Sequence, residues 1–226
     1  MIRWRFITSA CIVLLTWLGS VVGAMADTHR LALVIGNAKY HDQPLRNPEN
    51  DARLMTRGLR GLGFQVHFHL NLNQKELRRA VVAFGEALEA AGPETVSLIY
   101  YSGHGVQAGG RNYLLPVDSR INHEKDIAIE AVAAGDILEM LAYTRTRMNI
   151  VILDACRNNP YTRALRSRTG EGLNITAAPS GTFIAFATAP GSVAADGLGE
   201  NGLYTQELLN ALTVPGLKIE DVFKKV

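Results

Sequence analysis

Two stretches of the chain are apolar without a break and then stop on polar residues. Leu31-Ala-Leu-Val-Ile35 closes on Gly36-Asn37, and Ile150-Val-Ile-Leu153 closes on Asp154-Ala-Cys156-Arg157. Short continuous runs rich in β-branched residues predict strands buried on both faces, as in a parallel sheet. Thr95 to Tyr101 predicts a third strand, ending in Ser102-Gly-His104-Gly105, while Phe64 to Leu70 and Thr182 to Ala187 supply two more. Between them the apolar period changes to that of helices. Glu49 and Asp51 open one, with Leu54, Met55, Leu59 and Leu62 at helical spacing and Gly61 and Gly63 at its end. Asn73, with Glu76 three residues on, predicts a capped helix whose buried stripe is Leu77, Val81, Phe84 and Leu88. Ile137, Leu138 and Leu141 mark the inner face of a helix from Ala134 to Tyr143; Leu203 to Leu212 is another, and Ile219 to Val226 reads as a helix cut short, so that the natural product is expected to continue. Arg111 to Val117 predicts half of a hairpin reached through Gly109-Gly110, and Tyr161–Pro179 and Gly191–Gly202 read as loops. The alternation predicts an α/β protein, with a mostly parallel central sheet flanked by helices on both faces.

The first residues do not fit that pattern. Arg3 and Arg5 precede an apolar stretch from Phe6 to Ala24, and Ala24-Met25-Ala26 has the small residues of a cleavage site. Residues 1–26 are therefore expected to be a secretory signal peptide, and the protein to be exported, periplasmic or secreted. The alternative is a membrane anchor through residues 6–24, so a membrane enters only if the leader is retained. Residues 27–226, with no Pro-, Gly- or Ser-rich linker, are expected to form one globular domain. Loss of the leader removes Arg3 and Arg5 and no acid, so Lys+Arg falls from 23 to 21 against 21 Asp+Glu. A net charge of zero gives no reason to expect a nucleic-acid partner. The same cut removes Cys11 and leaves Cys156 alone, where exported cysteines normally pair.

An odd thiol is a buried bystander or a reactive group. Open parallel sheets place their ligands at the carboxyl edge, and here one strand ends in His104 and another in Cys156. If those strands are parallel neighbours, imidazole and thiol face one cleft, the pairing that nucleophilic catalysis requires. His104 would take or return the proton, and the amides of Gly105 and Cys156 would form an oxyanion hole. The plainer alternative is a glycine turn with a satisfied histidine and a packed cysteine. A metal site of His67, His69, His104 and Cys156 is disfavoured, because two of its members belong to another strand and no second cysteine joins them. No strand is followed by a phosphate-cradling glycine motif or a Walker lysine.

Tyr101-Ser-Gly-His104-Gly105, followed some fifty residues later by Leu153-Asp154-Ala-Cys156-Arg157-Asn, resembles the caspase-like cysteine peptidases, particularly the bacterial metacaspase- and paracaspase-like (orthocaspase-type) members. Ala32 through Tyr40, Leu45 through Asp51, Tyr113 through Asp118 and Phe186 through Gly191 also look like that family, so the likeness extends from Arg30 to Leu212. It implies a three-layer caspase-haemoglobinase-like fold, His104 as general base and acid, Cys156 as nucleophile and an acyl-enzyme intermediate. It further implies that Asp51, Asp154 and Asp196 line a pocket for an arginine or lysine side chain, so that the partners are proteins or peptides cut after Arg or Lys. Charge-assisted hydrogen bonds of that kind are worth roughly 1.5–3 kcal/mol each when desolvated. Each acid also has a structural alternative: Asp51 as the acid favoured at a helix N-terminus, Asp154 as an acceptor for loop amides, and Asp196-Gly197 as a turn. Replacing Asp154 is expected to cost turnover of basic substrates far more than it alters folding.

The Cys156-Arg157-Asn158 run departs from the Cys-His-Ser usual in metacaspases and is nearer the paracaspase form. No residues are assigned to the family's calcium-binding acids, so no metal or other cofactor is expected from the sequence, with calcium dependence left as the alternative. The segment from Arg157 to Arg168 carries four arginines and no acid, where related proteases have a processing linker. Self-cleavage after Arg163, Arg166 or Arg168 is one expectation, and a solvated basic loop is the other. An inactive caspase-fold module that only binds is the alternative to an enzyme.

Overall fold

The computed structural model describes residues 28–156, 178–187 and 201–226, with Cys156 described by its backbone. In chain order the elements are β1 (Arg30–Gly36), α1 (Pro48–Gly61), β2 (Gln65–Leu70), α2 (Gln74–Ala91), β3 (Val96–Ala108), β4 (Arg111–Leu114), α3 (Glu124–Glu130), β5 (Val132–Ala133), α4 (Ala134–Thr144), β6 (Met148–Cys156), β7 (Thr182–Phe186), α5 (Leu203–Leu212) and α6 (Ile219–Lys225). The leader, Asp196 and Arg163, Arg166 and Arg168 lie outside the described residues. Among the described residues no helix is long and apolar enough to cross a membrane.

The main sheet is parallel throughout, in the order β2-β1-β3-β6-β7. Its strands are apolar on both faces because both faces are covered. On β1, Leu31, Leu33 and Ile35 pack with Leu77, Phe84 and Leu88 of α2 and Ile137 and Leu141 of α4. The alternate residues Ala32 and Val34 pack with Ala52, Met55 and Leu59 of α1 and Leu208 and Leu209 of α5. This is the expected α/β/α sandwich, and the pleat assigns each strand residue to one of the two layers. The helices start where local chemistry predicts. Asn73 and Glu76 form a reciprocal capping box on α2, and Pro48 occupies the first turn of α1, where its missing N–H costs nothing.

Two stretches differ from the sequence reading. Ser102-Gly-His104-Gly105 is not a turn after the third strand; β3 runs on through it to Ala108. Glycine's preference for turns is overridden by pairing, since residues through His104 stay in register with β6 while Gly105 to Ala108 pair antiparallel with β4. The predicted hairpin then closes at Gly109 and Gly110, both at positive φ, 54° and 76°, which suits a two-residue turn of the primed type. The second difference is α3 and β5, in a segment with no clear period. The helix is short, and its entry is held by the Asp126 carboxylate, which accepts the amides of Asn122 and His123.

Candidate active site

The site begins with a register. β3 and β6 pair from Val96↔Met148 up to His104↔Cys156, so the two residues occupy the last rung of adjacent parallel strands, at the carboxyl edge of the sheet. Backbones on one rung lie about 4.8 Å apart. The condition placed on the sequence, that the two strands be parallel neighbours, is met.

His104 is only 5% exposed. Its Nε2 lies 2.9 Å from the carbonyl oxygen of Gln43, a residue at φ 64° in the loop between β1 and α1. A carbonyl can only accept, so Nε2 carries the proton, and in the neutral ring Nδ1 is the basic nitrogen. Nδ1 is buried and has no hydrogen-bond partner among the described residues. Burial lowers the pKa of His104, and the Gln43 carbonyl partly offsets this by favouring the charged ring. The Tyr40 ring packs against the imidazole, centroid to centroid 4.4 Å.

Gly105 faces Leu114 across the β3–β4 ladder, and just outside that pair the Leu115 amide donates to the His104 carbonyl at 3.0 Å. That bond makes Gly105–Leu114 a non-hydrogen-bonded pair, in which the amide points away from β4, toward the side on which β6 ends. Packing alone requires glycine at position 103. A Cβ there would lie 2.6 Å from Tyr40 Oη and 2.8 Å from Tyr101 Oη, two side chains that are themselves buried.

Asp154 and Asp51 converge on the α1–α5 side of the sheet. Asp154 Oδ2 accepts from Tyr100 Oη and from Thr205 Oγ1, both at 2.9 Å, and these two hydroxyls are 2.7 Å from each other. Asp51 Oδ1 accepts the Gly202 amide at 2.7 Å, just ahead of α5. Burial, then the charge of Asp154, then that of Asp51, push the Tyr100 phenol well above its usual pKa, so both carboxylates act on one buried hydroxyl. Asp51 also stands in the first turn of α1, where a negative charge suits the helix dipole. Its structural alternative therefore holds together with its convergence on Asp154. Among the described residues Asp154 is held by these two side-chain hydroxyls. Asp154 ties β6 to β3 and α5 through two fully buried partners, so its replacement carries a folding cost that must be weighed beside any loss of turnover.

His67 and His69 are not gathered with His104. His67 meets Phe84 of α2 edge-on at 5.7 Å, and burial, then His67, lowers the pKa of His69. Among the described residues no group of three or more His, Cys, Asp or Glu side chains could hold a metal ion. Gln43, Tyr40, Tyr100, Tyr101 and Thr205 were not singled out from sequence. The only signal was that tyrosines inside a buried strand must find partners for their hydroxyls.

The parallel sheet flanked by helices is the frame on which the comparisons with known proteins place the chain. The chain belongs to the caspase-domain family of cysteine peptidases, whose family model matches residues 29–226. It is 33% identical over 134 residues to the mucosa-associated lymphoid tissue lymphoma translocation protein 1 of Homo sapiens, covering 58% of this chain and 16% of that protein. The Mus musculus homolog is 32% identical over 134 residues, covering 58% of this chain and 15% of the relative. This chain thus spans only a small part of the length of the curated relatives it matches. The crystal structure of the Drosophila initiator caspase Dronc is similar with a TM-score of 0.62 at 14% identity, over 87% of this chain and 70% of that one, which shows the caspase-like fold.

Proposed function

We propose that the protein is a cysteine endopeptidase that cuts protein or peptide substrates after Arg or Lys. The observation that carries this reading is the shared last rung of His104 and Cys156, with Nε2 of the histidine engaged by a carbonyl and Nδ1 left for the reaction. In the acylation step Nδ1 takes the proton of the Cys156 thiol, and the thiolate sulfur attacks the scissile carbonyl carbon. The negative charge on the carbonyl oxygen is met by the Gly105 and Cys156 amides. Collapse breaks the C–N bond, the Nδ1 proton goes to the leaving amine, and a thioester remains. Water, giving its proton to Nδ1, attacks the thioester; the acid product leaves and the proton returns to sulfur.

The preference for a basic residue rests on Asp51 and Asp154, both within electrostatic reach of the Tyr100 hydroxyl, with Asp196 as the third acid. No step uses a metal. The leader of residues 1–26 would deliver the enzyme outside the cytoplasm, and N-terminal sequencing of the exported protein should begin at Asp27; a start at Met1 would favour the anchor. The function is tested with fluorogenic peptides bearing Arg, Lys or Asp at the cleaved position, with calcium and with a chelator. Arg and Lys peptides should be hydrolysed by the wild type and not by Cys156→Ala. No turnover of any peptide would leave an inactive binding module, and activity abolished by the chelator would require a metal role.

A further inference from the structure

In a regular antiparallel ladder a hydrogen-bonded pair exchanges two bonds. His104 and Leu115 stand where such a pair would fall, and one bond is present: the Leu115 amide donates to the His104 carbonyl at 3.0 Å. In place of the other, the His104 amide donates to Tyr40 Oη at 2.8 Å, and Tyr40 Oη lies 3.1 Å from the Leu115 carbonyl that it serves as donor. A tyrosine hydroxyl from the loop after β1 is thus inserted into the β3–β4 ladder at the histidine. The ring of the same residue lies against the imidazole, tilted by 52°.

We propose that Tyr40 is a positioning residue for His104, its hydroxyl holding the histidine backbone off β4 and on the rung of Cys156 while its ring sets the plane of the imidazole. This role rests on the peptidase reading. The two ends of the inserted bond are unequal. The Leu115 carbonyl also accepts from Tyr101 Oη at 2.9 Å and from Asn37 Nδ2 at 3.2 Å, so it stays paired without Tyr40. The His104 amide would lose its acceptor, and the simplest recovery is to close the rung directly onto Leu115. That closure draws His104 toward β4 and away from β6. Misplacement of a catalytic group by about 1 Å costs on the order of 100-fold in rate.

The test compares Tyr40→Phe, Tyr40→Leu and Tyr101→Phe in the full chain. Tyr40→Phe should lower kcat by roughly 10- to 100-fold with KM within about twofold. It should also shift the His104 imidazole resonances in NMR spectra. Tyr40→Leu, which loses the ring as well, should fall further, so that phenylalanine is a partial rescue. Tyr101→Phe removes a hydroxyl from the same cluster but leaves the inserted bond, and should lower kcat less. Alkylation of Cys156 by iodoacetamide, followed on its own peptide by mass spectrometry, reads activation of the thiol without any turnover. If the wild type cuts no peptide, the peptidase reading fails, and a slower alkylation of Tyr40→Phe still supports the positioning role. Rates, resonances and alkylation equal to wild type in Tyr40→Phe overturn it, as would equal kcat losses in Tyr40→Phe and Tyr101→Phe.

Discussion

Asp154→Asn separates two roles that the structure gives to one carboxylate. The side chain keeps its shape and an oxygen acceptor, and loses its charge. On the folding side, Oδ2 accepts two hydrogen bonds of 2.9 Å, from Tyr100 and Thr205, both 0% exposed. A hydrogen bond to a charged group contributes about 1.5–3 kcal/mol and a neutral one about 0.5–1.5 kcal/mol, so two of them weakened cost about 2 kcal/mol of stability. On the substrate side, one charge-assisted contact to a guanidinium is lost, and about 1.5–3 kcal/mol converts to roughly a 10- to 150-fold fall in kcat/KM. The control is Thr205→Val, which removes one hydroxyl and leaves the charge. The assays are urea unfolding and kcat/KM on two peptides alike except for Arg or citrulline at the cleaved position. Both variants should lose about 1–2 kcal/mol of stability. Only Asp154→Asn should reduce the Arg-to-citrulline ratio tenfold or more. An unchanged ratio in Asp154→Asn would refute the acidic pocket, and an equal fall in Thr205→Val would transfer the effect from charge to position.

Gly103→Ala should cost about 1–3 kcal/mol in thermal or urea unfolding, because its Cβ would press on the hydroxyls of two buried tyrosines that are fixed by hydrogen bonds; a variant as stable as wild type would contradict the packing described here. Burial lowers the pKa of His104, so the ring stays neutral below the usual value of 6.5. The acid limb of the kcat/KM profile should therefore have its midpoint below 6.5, and the stability that the neutral ring contributes above that pH should be lost as the pH falls through the lowered pKa; a midpoint above 6.5 in the pH–rate profile would refute this. Self-cleavage predicts that mass spectrometry of purified wild type shows a cut after Arg163, Arg166 or Arg168 that is missing in Cys156→Ala. The same cut in both proteins would assign it to another protease.

The parallel strands were legible because their signal is local. The runs from Leu31 and Ile150 are apolar at every position, which only a sheet covered on both faces accommodates. The helix α2 was legible for the same kind of reason, a capping box followed by the stripe of Leu77, Val81, Phe84 and Leu88. β3 beyond Tyr101 was not, because two glycines within four residues signal a turn unless strands on both sides supply partners. The short α3 has too few residues to display a period. That His104 and Cys156 stand at the carboxyl edge of parallel strands could be read from their places after apolar runs. The support of Asp154 could not, since its hydroxyl partners are 54 and 51 residues away along the chain. Nor could the Gln43 carbonyl, which acts through a main-chain atom that any residue possesses.

Two adjacent residues connect these observations. Tyr100 and Tyr101 sit in the middle of β3, and the pleat sends them to opposite faces of the sheet. Tyr100 enters the layer with α1 and α5 and bonds Asp154 and Thr205. Tyr101 enters the layer with α2 and α4, and its hydroxyl lies 2.9 Å from the carbonyl oxygens of both His104 and Leu115, with its one proton shared between them. One dipeptide thus braces the acid proposed to choose the substrate and the backbone that carries the proposed base. The two hydroxyls are not interchangeable, since each meets a different half of the site. Loss of the Tyr100 hydroxyl should appear first in the choice between arginine and a neutral side chain, whereas loss of the Tyr101 hydroxyl should appear first in the rate of a substrate already bound. A strand whose interior must pair both hydroxyls is also under stricter constraint than its apolar neighbours β1 and β6, where a change of one aliphatic side chain for another of similar volume typically costs less than about 1.5 kcal/mol.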